Sequence, residues 1–338
     1  MSANKTSCAG INCAGINIGY GHLKLATPSG LLVTASAVAP SNPLYDGIGR
    51  ARDTHKTVFK GEEFEVGAEA ILLTRTPETA RLPVPQWSAT LRYQVLAQLV
   101  KDRLRAESPD WHVVIGVPIS DYRDAAYRKS LKHFWTGKHE TTSGLLTIED
   151  ARVVPEPIGA IFAYMQGFSE QEIQEESARS HLVIDVGFFT SDWLALSRLS
   201  PDLEQSRGID IGMHAILTQM SEQIAADYQK SGVSDLVTLE NLLLEQIATG
   251  KSGKVDLLQY AIQATAKIAP PLMDDIKAST YRWLRSDDAK KILLAGGAAS
   301  FLLPHVQESF PGIEVEVVRD PQTANAVGYR LQCEMLHG

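Results

Sequence analysis

Apolar and polar residues alternate along the first part of the chain, and glycines interrupt the alternation. Residues 16–26 run through a glycine turn and on into 31–38, with Pro28-Ser29-Gly30 as a second turn, which predicts consecutive hairpin strands. Residues 40–87 are irregular and proline-bearing, with strand-like pieces at 57–59 and 64–66, the pattern of a small insertion. Leu91, Val95 and Leu99 then recur at helical spacing, with Leu96 and Val100 widening the stripe, so an amphipathic helix is expected over 88–104. A nearly unbroken apolar run at 111–119, rich in β-branched residues, reads as a strand covered on both faces. Another strand at 152–154 ends in Pro155-Glu156-Pro157, and a short helix is expected over 158–165.

The polar, acidic stretch 167–179 separates two halves. Beyond it the pattern predicts strands at 181–186 and 193–197, then helices at 213–228, 236–247 and 257–268, the last stopped by Pro270-Pro271. Strands at 291–295 and 314–318 and a closing helix at 323–335 complete an α/β chain.

An internal repeat organises these elements. Ile16-Asn17-Ile18-Gly19-Tyr20 and Ile184-Asp185-Val186-Gly187-Phe188 match in residue type, 168 residues apart, each where a strand turns sharply into the next. A glycine two residues after a strand-end polar side chain lets the backbone bend tightly and present N–H groups to an anion. The polar side chain can then hold a hydrated metal that bridges phosphates. Two halves of one design are implied.

Length agrees, since 338 residues suffice for two domains of ordinary size, each with its own core. The formal charge of −8 argues against direct attraction to a nucleic-acid backbone, so a link to DNA would run through another protein. No apolar run approaches the roughly 18 residues that cross a bilayer. The first seven residues lack the hydrophobic core of a signal peptide, and a cytoplasmic protein without membrane contact is expected. Cys8, Cys13 and Cys333 form neither an even set nor a CxxC pair, which fits a reducing compartment with unpaired cysteines. The nine histidines show no metal-ligand spacing and are read as structural or surface residues.

The sequence resembles the actin, Hsp70 and sugar-kinase superfamily, whose signature is five spaced motifs, and all five have candidates here. Asn17-Ile18-Gly19-Tyr20-Gly21-His22-Leu23-Lys24 resembles the first phosphate loop, and Pro155-Glu156-Pro157-Ile158-Gly159-Ala160 the first connecting helix. Asp185-Val186-Gly187-Phe188-Phe189-Thr190 is similar to the second phosphate loop, and Leu294-Ala295-Gly296-Gly297-Ala298-Ala299 to the adenosine motif. The second connecting helix is matched by 320–329. Within the superfamily the prokaryotic ParM/StbA plasmid-segregation actins, including the D protein of the PRTRC cluster, are most similar. That likeness rests on Gly19-Tyr20-Gly21 with Lys24, on Thr190-Ser191-Asp192-Trp193, and on Ala324-Asn325-Ala326-Val327-Gly328.

The resemblance implies an actin-like, duplicated ribonuclease H-like fold of two domains with a nucleotide cleft between the halves. Domain I would span 1–168, with an insertion at about 40–87, and be completed by a C-terminal helix at 321–338; domain II would span 180–320, with a helical insertion at about 213–285. ATP or GTP with Mg²⁺ would be the ligand. Glu156 would aim the attacking water, with Asp185 as second catalytic residue and, with Asn17, as metal partner. Gly19, Tyr20, Gly21, Lys24, Gly187, Phe188, Thr190, Asp210, Gly212, Gly296, Gly297 and Ala298 would bind the nucleotide.

Physical chemistry weighs on several of these. A carboxylate ending a buried strand needs a partner, which a metal or phosphate-bound water supplies to Asp185, although a turn-capping aspartate is the plainer alternative. Glu156 sits between two prolines that rigidify it, or is merely a helix-start glutamate. Lys24 either contacts phosphate or points to solvent from a half-exposed strand. Asn17 departs from the family, which carries aspartate there. An amide lacks the charge that attracts Mg²⁺, so slow hydrolysis or heavier reliance on Asp185 is expected. The implied activity is an ATPase that polymerises with itself into filaments and moves plasmid DNA through an adaptor. A small-molecule kinase and a nucleotide-binding scaffold with little turnover are the alternatives.

Overall fold

The computed structural model describes residues 11–42, 52–73, 86–228, 236–251, 253 and 255–337. The chain begins with an antiparallel meander, β1 (Cys13–Ile18), β2 (His22–Thr27) and β3 (Gly30–Ala35). A small sheet follows, built from β4 (Val38–Pro40), β5 (His55–Phe59) and β6 (Glu62–Val66). Within it Glu65 is buried and takes a two-pronged ion pair from Arg52, with Nε and Nη2 at 2.9 and 2.6 Å. Next come α1 (Leu91–Glu107), β7 (Asp110–Val117), α2 (Ile119–Arg123), α3 (Ala125–Trp135), β8 (Gly137–Thr141), β9 (Gly144–Pro155), α4 (Ile158–Tyr164) and α5 (Glu170–Ser177).

A second meander, β10 (Ser180–Val186), β11 (Ser191–Ser197) and β12 (Ser200–Ile209), opens the other half. It leads into α6 (Met213–Tyr228), α7 (Leu236–Thr249), α8 (Leu257–Ser279) and α9 (Tyr281–Arg285). The chain closes with β13 (Lys290–Ala295), α10 (Ala299–Ser309), β14 (Glu314–Val317) and α11 (Ala324–His337).

The two large sheets repeat one plan. In the order β3-β2-β1-β7-β9-β8, the meander is followed by β7 and β9 running parallel to β1. In the order β12-β11-β10-β13-β14, β13 and β14 run parallel to β10 in the same way. One face of the first sheet packs on α1 and α3 around Leu96, Leu104, Trp111 and Trp135. One face of the second packs on α6, α8 and α10 around Leu217, Met273 and Ile276. The opposite faces look toward each other, with α4 and α11 between them in a third core that contains Val114, Ile161, Leu194, Leu293 and Tyr329.

The helix expected to stop at Pro270-Pro271 instead continues to Ser279. Buried Ala261, Ala264, Thr265, Ala269, Leu272, Met273 and Ile276 form one stripe running through the prolines, and packing of that stripe outweighs the roughly 3 kcal/mol a mid-helix proline costs. The stretch read as a polar divider holds α5, whose start is a capping box between Ser169 and Glu172.

The cysteine reading is also corrected. Cys13 on β1 and Cys333 on α11 are joined as a disulfide, with Cα atoms 5.6 Å apart. An odd count did not exclude one pair, because β1 and α11 meet face to face across 320 residues of sequence. The sequence also repeats Cys-Ala-Gly-Ile-Asn in tandem at 8–12 and 13–17, and the first three residues of the first copy lie outside the described residues. Among the described residues no helix is long and apolar enough to cross a membrane.

Candidate functional site

The two matching bends face one another. Gly19 N–H donates to the His22 carbonyl at 3.1 Å and Gly187 N–H to the Thr190 carbonyl at 2.9 Å, the same tight turn made twice. Both glycines line one inner chamber of about 60 Å³, together with Asn17, Tyr20, Gly21, Lys24, Glu156, Asp185, Phe188 and Thr190. An outer cleft of about 550 Å³ adjoins it and shares His22, Lys24, Gly187 and Phe188 as walls. Beyond these the outer cleft is lined by Met213, Glu240, Leu244, Gly297 and Phe301 and by the loop from Asp320 to Thr323.

The floor of the inner chamber is acidic and cross-braced. Asn17 Nδ2 donates to Glu156 Oε1 at 2.8 Å, and the Tyr329 hydroxyl donates to the Glu156 carbonyl at 2.6 Å. Asn325 Nδ2 donates to Asp185 Oδ2 at 2.8 Å, while its own Oδ1 accepts from the Ala160 N–H. These amides arrive from α11 and β1 because glycines let α4 and α11 approach: a Cβ on Gly328 would lie 1.7 Å from the Gly159 carbonyl oxygen. At Gly296 the backbone takes φ +88°, and a side chain would meet the Val186 carbonyl and Asp185 Oδ1.

Asp192, on β11, lies directly across the strand pair from Asp185, an unfavourable like-charge pairing in a buried sheet. Burial and this crowding push Glu156 up to about 8 and Asp192 up to about 7, and burial raises Asp185 as well. Lys24 is the cation that pulls Glu156 and Asp185 back down. Three acids against one lysine leave room for a divalent cation, which suits Mg²⁺. Among the described residues no three His, Cys, Asp or Glu side chains form a ready metal cage.

Not every expected residue lies on these cavities. Asp210 is exposed and lines neither. Gly212, Gly296 and Ala298 shape the walls from behind: the start of α6 bonds to the second turn through Met213 N–H to the Gly187 carbonyl, where a Cβ on Gly212 would collide. His22, read as structural or surface, lines both chambers, its ring 6.4 Å from that of Phe188. Its place inside the first turn was the available signal. Asp192, Asn325 and Tyr329 were present in quoted motifs without an assigned role, and Glu240 and Phe301 carried no local signal.

A duplicated α/β fold whose two meanders turn toward a shared acidic chamber defines the actin-like two-lobed class. Comparison with curated protein sequences gives no significant match. Two family models match in succession, the actin like proteins N terminal domain over residues 15–159 and the archaeal actin homologue MreB-like C-terminal domain over 183–308. Among solved structures, Ta0583, an archaeal actin homolog, is 20% identical with a TM-score of 0.72, over 96% of this chain and 100% of that one. Its complex with ADP has a TM-score of 0.69 at 20% identity, over the same 96% and 100%. ParM in a 15-stranded filament from Clostridium botulinum is 19% identical with a TM-score of 0.67, over 96% of this chain and 99% of that one. The two halves of the chain thus each match a model of actin-like proteins, and its fold is the actin-like one.

Proposed function

We propose that the protein binds a magnesium nucleoside triphosphate across its two chambers, hydrolyses it, and couples hydrolysis to head-to-tail polymerisation. The observation that carries this reading is the pair of matching glycine turns, one from each half, enclosing Lys24, Glu156 and Asp185 in a single chamber. The outer cleft has apolar walls at Met213, Leu244 and Phe301 suited to a base, and Glu240 and Gln322 offer polar partners for base or ribose. The phosphate chain passes between the turns, and the terminal phosphoryl group enters the inner chamber.

There Lys24 and the Thr190 hydroxyl contact phosphate oxygens. Glu156, one oxygen fixed by Asn17, keeps the other for a water aligned with the terminal phosphorus. Asp185, braced by Asn325, is the principal partner for hydrated Mg²⁺, with Asn17 a neutral second. The bound ion supplies charge stabilisation for the leaving phosphate. Filament formation is proposed from the likeness to ParM in filaments, and an open head-to-tail interface gives that geometry. Plasmid movement through a DNA-bound adaptor is the proposed biological use.

The test is turnover and sedimentation of the purified protein with Mg-ATP and Mg-GTP. Nucleotide-dependent pelleting, with phosphate release abolished in Glu156→Ala, is expected. Absence of nucleotide binding at millimolar concentration overturns the reading.

A further inference from the structure

A lone leucine at a protein surface needs no explanation, but two that wall one cleft from opposite halves do. Leu31 on β3 is 52% exposed and Leu244 on α7 is 42% exposed, and both line the outer cleft. Their elements account for the exposure. Strand β3 is the edge of the first sheet and pairs only with β2. Lys24 on β2 stands opposite Asn17 on one side and Val33 on the other, so Asn17, Lys24, Val33 and Leu31 share one face of the sheet. Leu31 is the diagonal neighbour of Lys24 on that face, and the face that starts in the inner chamber ends at its edge in a leucine. Along α7, Leu239 and Leu243 enter the core of the second half, whereas Leu244 turns out of it. The same wall continues with Phe301 of α10 and with Gly297. Gly297 is exposed, and a Cβ there would meet no atom within 4 Å, whereas a Cβ on Gly296 would strike the Val186 carbonyl. Packing of the chain therefore requires the first glycine of the pair but not the second, whose open side is free for a ligand lying flat on the backbone.

The first half gives His22, Lys24 and Leu31 to this cleft, and of these only the leucine is apolar. Lys24 lines both chambers and marks where phosphates give way to the rest of the nucleotide. We propose that Leu31 is the first half's contact with the nucleobase and makes the cleft select purines over pyrimidines. This rests on the nucleotide reading. With one face of the ring on Gly297, Phe301 and Leu244, the other face is left toward Leu31. An aliphatic side chain offers no hydrogen bond, so it does not tell adenine from guanine. It responds to the apolar area withdrawn from water, which is larger for a bicyclic ring than for a monocyclic one. The same contact makes the base, and not the phosphates alone, a bridge between the halves.

Leu31→Thr tests this, because threonine suits an exposed edge strand and removes most of the apolar contact. Full-length wild type and variant are titrated by calorimetry with Mg-ADP, Mg-GDP and Mg-CDP, diphosphates being chosen so that polymerisation does not intrude. The wild type is expected to bind both purine nucleotides about tenfold more tightly than CDP. In Leu31→Thr the two purine affinities are expected to fall by about three- to tenfold while that for CDP changes by less than about twofold, so the preference shrinks. A parallel loss for all three nucleotides, the mark of damage to the strand, overturns the proposal, as does a preference left as it was. A second measurement needs no variant: nuclear Overhauser contacts between the base protons of bound Mg-ADP and the Leu31 methyl groups are expected in the wild type. Their absence with ADP bound overturns the contact and leaves nucleotide binding standing. A wild type that binds none of the three nucleotides removes both readings.

Discussion

Asn17 holds Glu156 through one hydrogen bond of 2.8 Å, and its neutrality matters as much as its reach. An aspartate there would add a fourth carboxylate to a chamber whose acids are already raised by burial and by each other. Asn17→Asp is therefore expected to destabilise the empty protein by about 1–3 kcal/mol, measured by denaturant unfolding at pH 7, with partial recovery on adding Mg-nucleotide. Glu156 must be ionised to accept a proton from water. Its acid group is lifted to about 8, so the neutral form predominates at pH 7 in the empty site and the ionised form grows as pH rises. The kcat/KM for ATP is expected to increase from pH 6 through 8, where Glu156 is about half ionised, and to level off about one unit higher, since this ratio reports groups of the free protein. Glu156→Gln keeps the shape and removes the base: kcat should fall by about 100-fold with nucleotide affinity little changed, read by phosphate release and calorimetry. Asn17, Glu156 and Asp185 were visible in the sequence because each sits at a strand end beside a glycine or proline. The bonds from Asn325 and Tyr329 were not, since they come from residues more than 100 positions away.

Helix α11 joins the core between the sheets to the chamber floor, and its approach to α4 depends on Gly159 and Gly328. Gly328→Ala would push a methyl group into the Gly159 carbonyl, and the two helices must separate to relieve it. The expected cost is about 3 kcal/mol in unfolding free energy, accompanied by weaker nucleotide binding as Asn325 and Tyr329 withdraw. Long elements with one clear stripe were legible in advance: α6 was expected with the bounds it has, and β10 and β13 within a residue. Elements missed have physical reasons. Helix α8 passes through Pro270 and Pro271 because its buried stripe is tertiary, and α5 exposes nearly all its residues, so only the capping box at Ser169 announced it. Strands β8 and β12 lie at sheet edges and are largely exposed, without the apolar run that marked β7.

For the molecule as a whole, the link between Cys13 and Cys333 ties the first strand to the last helix, across the core the two sheets share. Thiol titration of the unreduced, denatured protein is expected to find one free cysteine of the three, Cys8. Reductant should lower the melting temperature, a disulfide of this span stabilising by about 2–4 kcal/mol. Recovery of three thiols without reductant would refute the pairing.

The corners of the two hairpins carry an amide and an ammonium in one copy and a pair of acids in the other. A dimer of identical single lobes would present like to like about its twofold axis, so no such assignment of opposite signs could exist in it. Covalent fusion of the copies releases that constraint. Unlike charges at equivalent corners are thus a product of broken symmetry, while the hairpin register and the turn are kept in each copy.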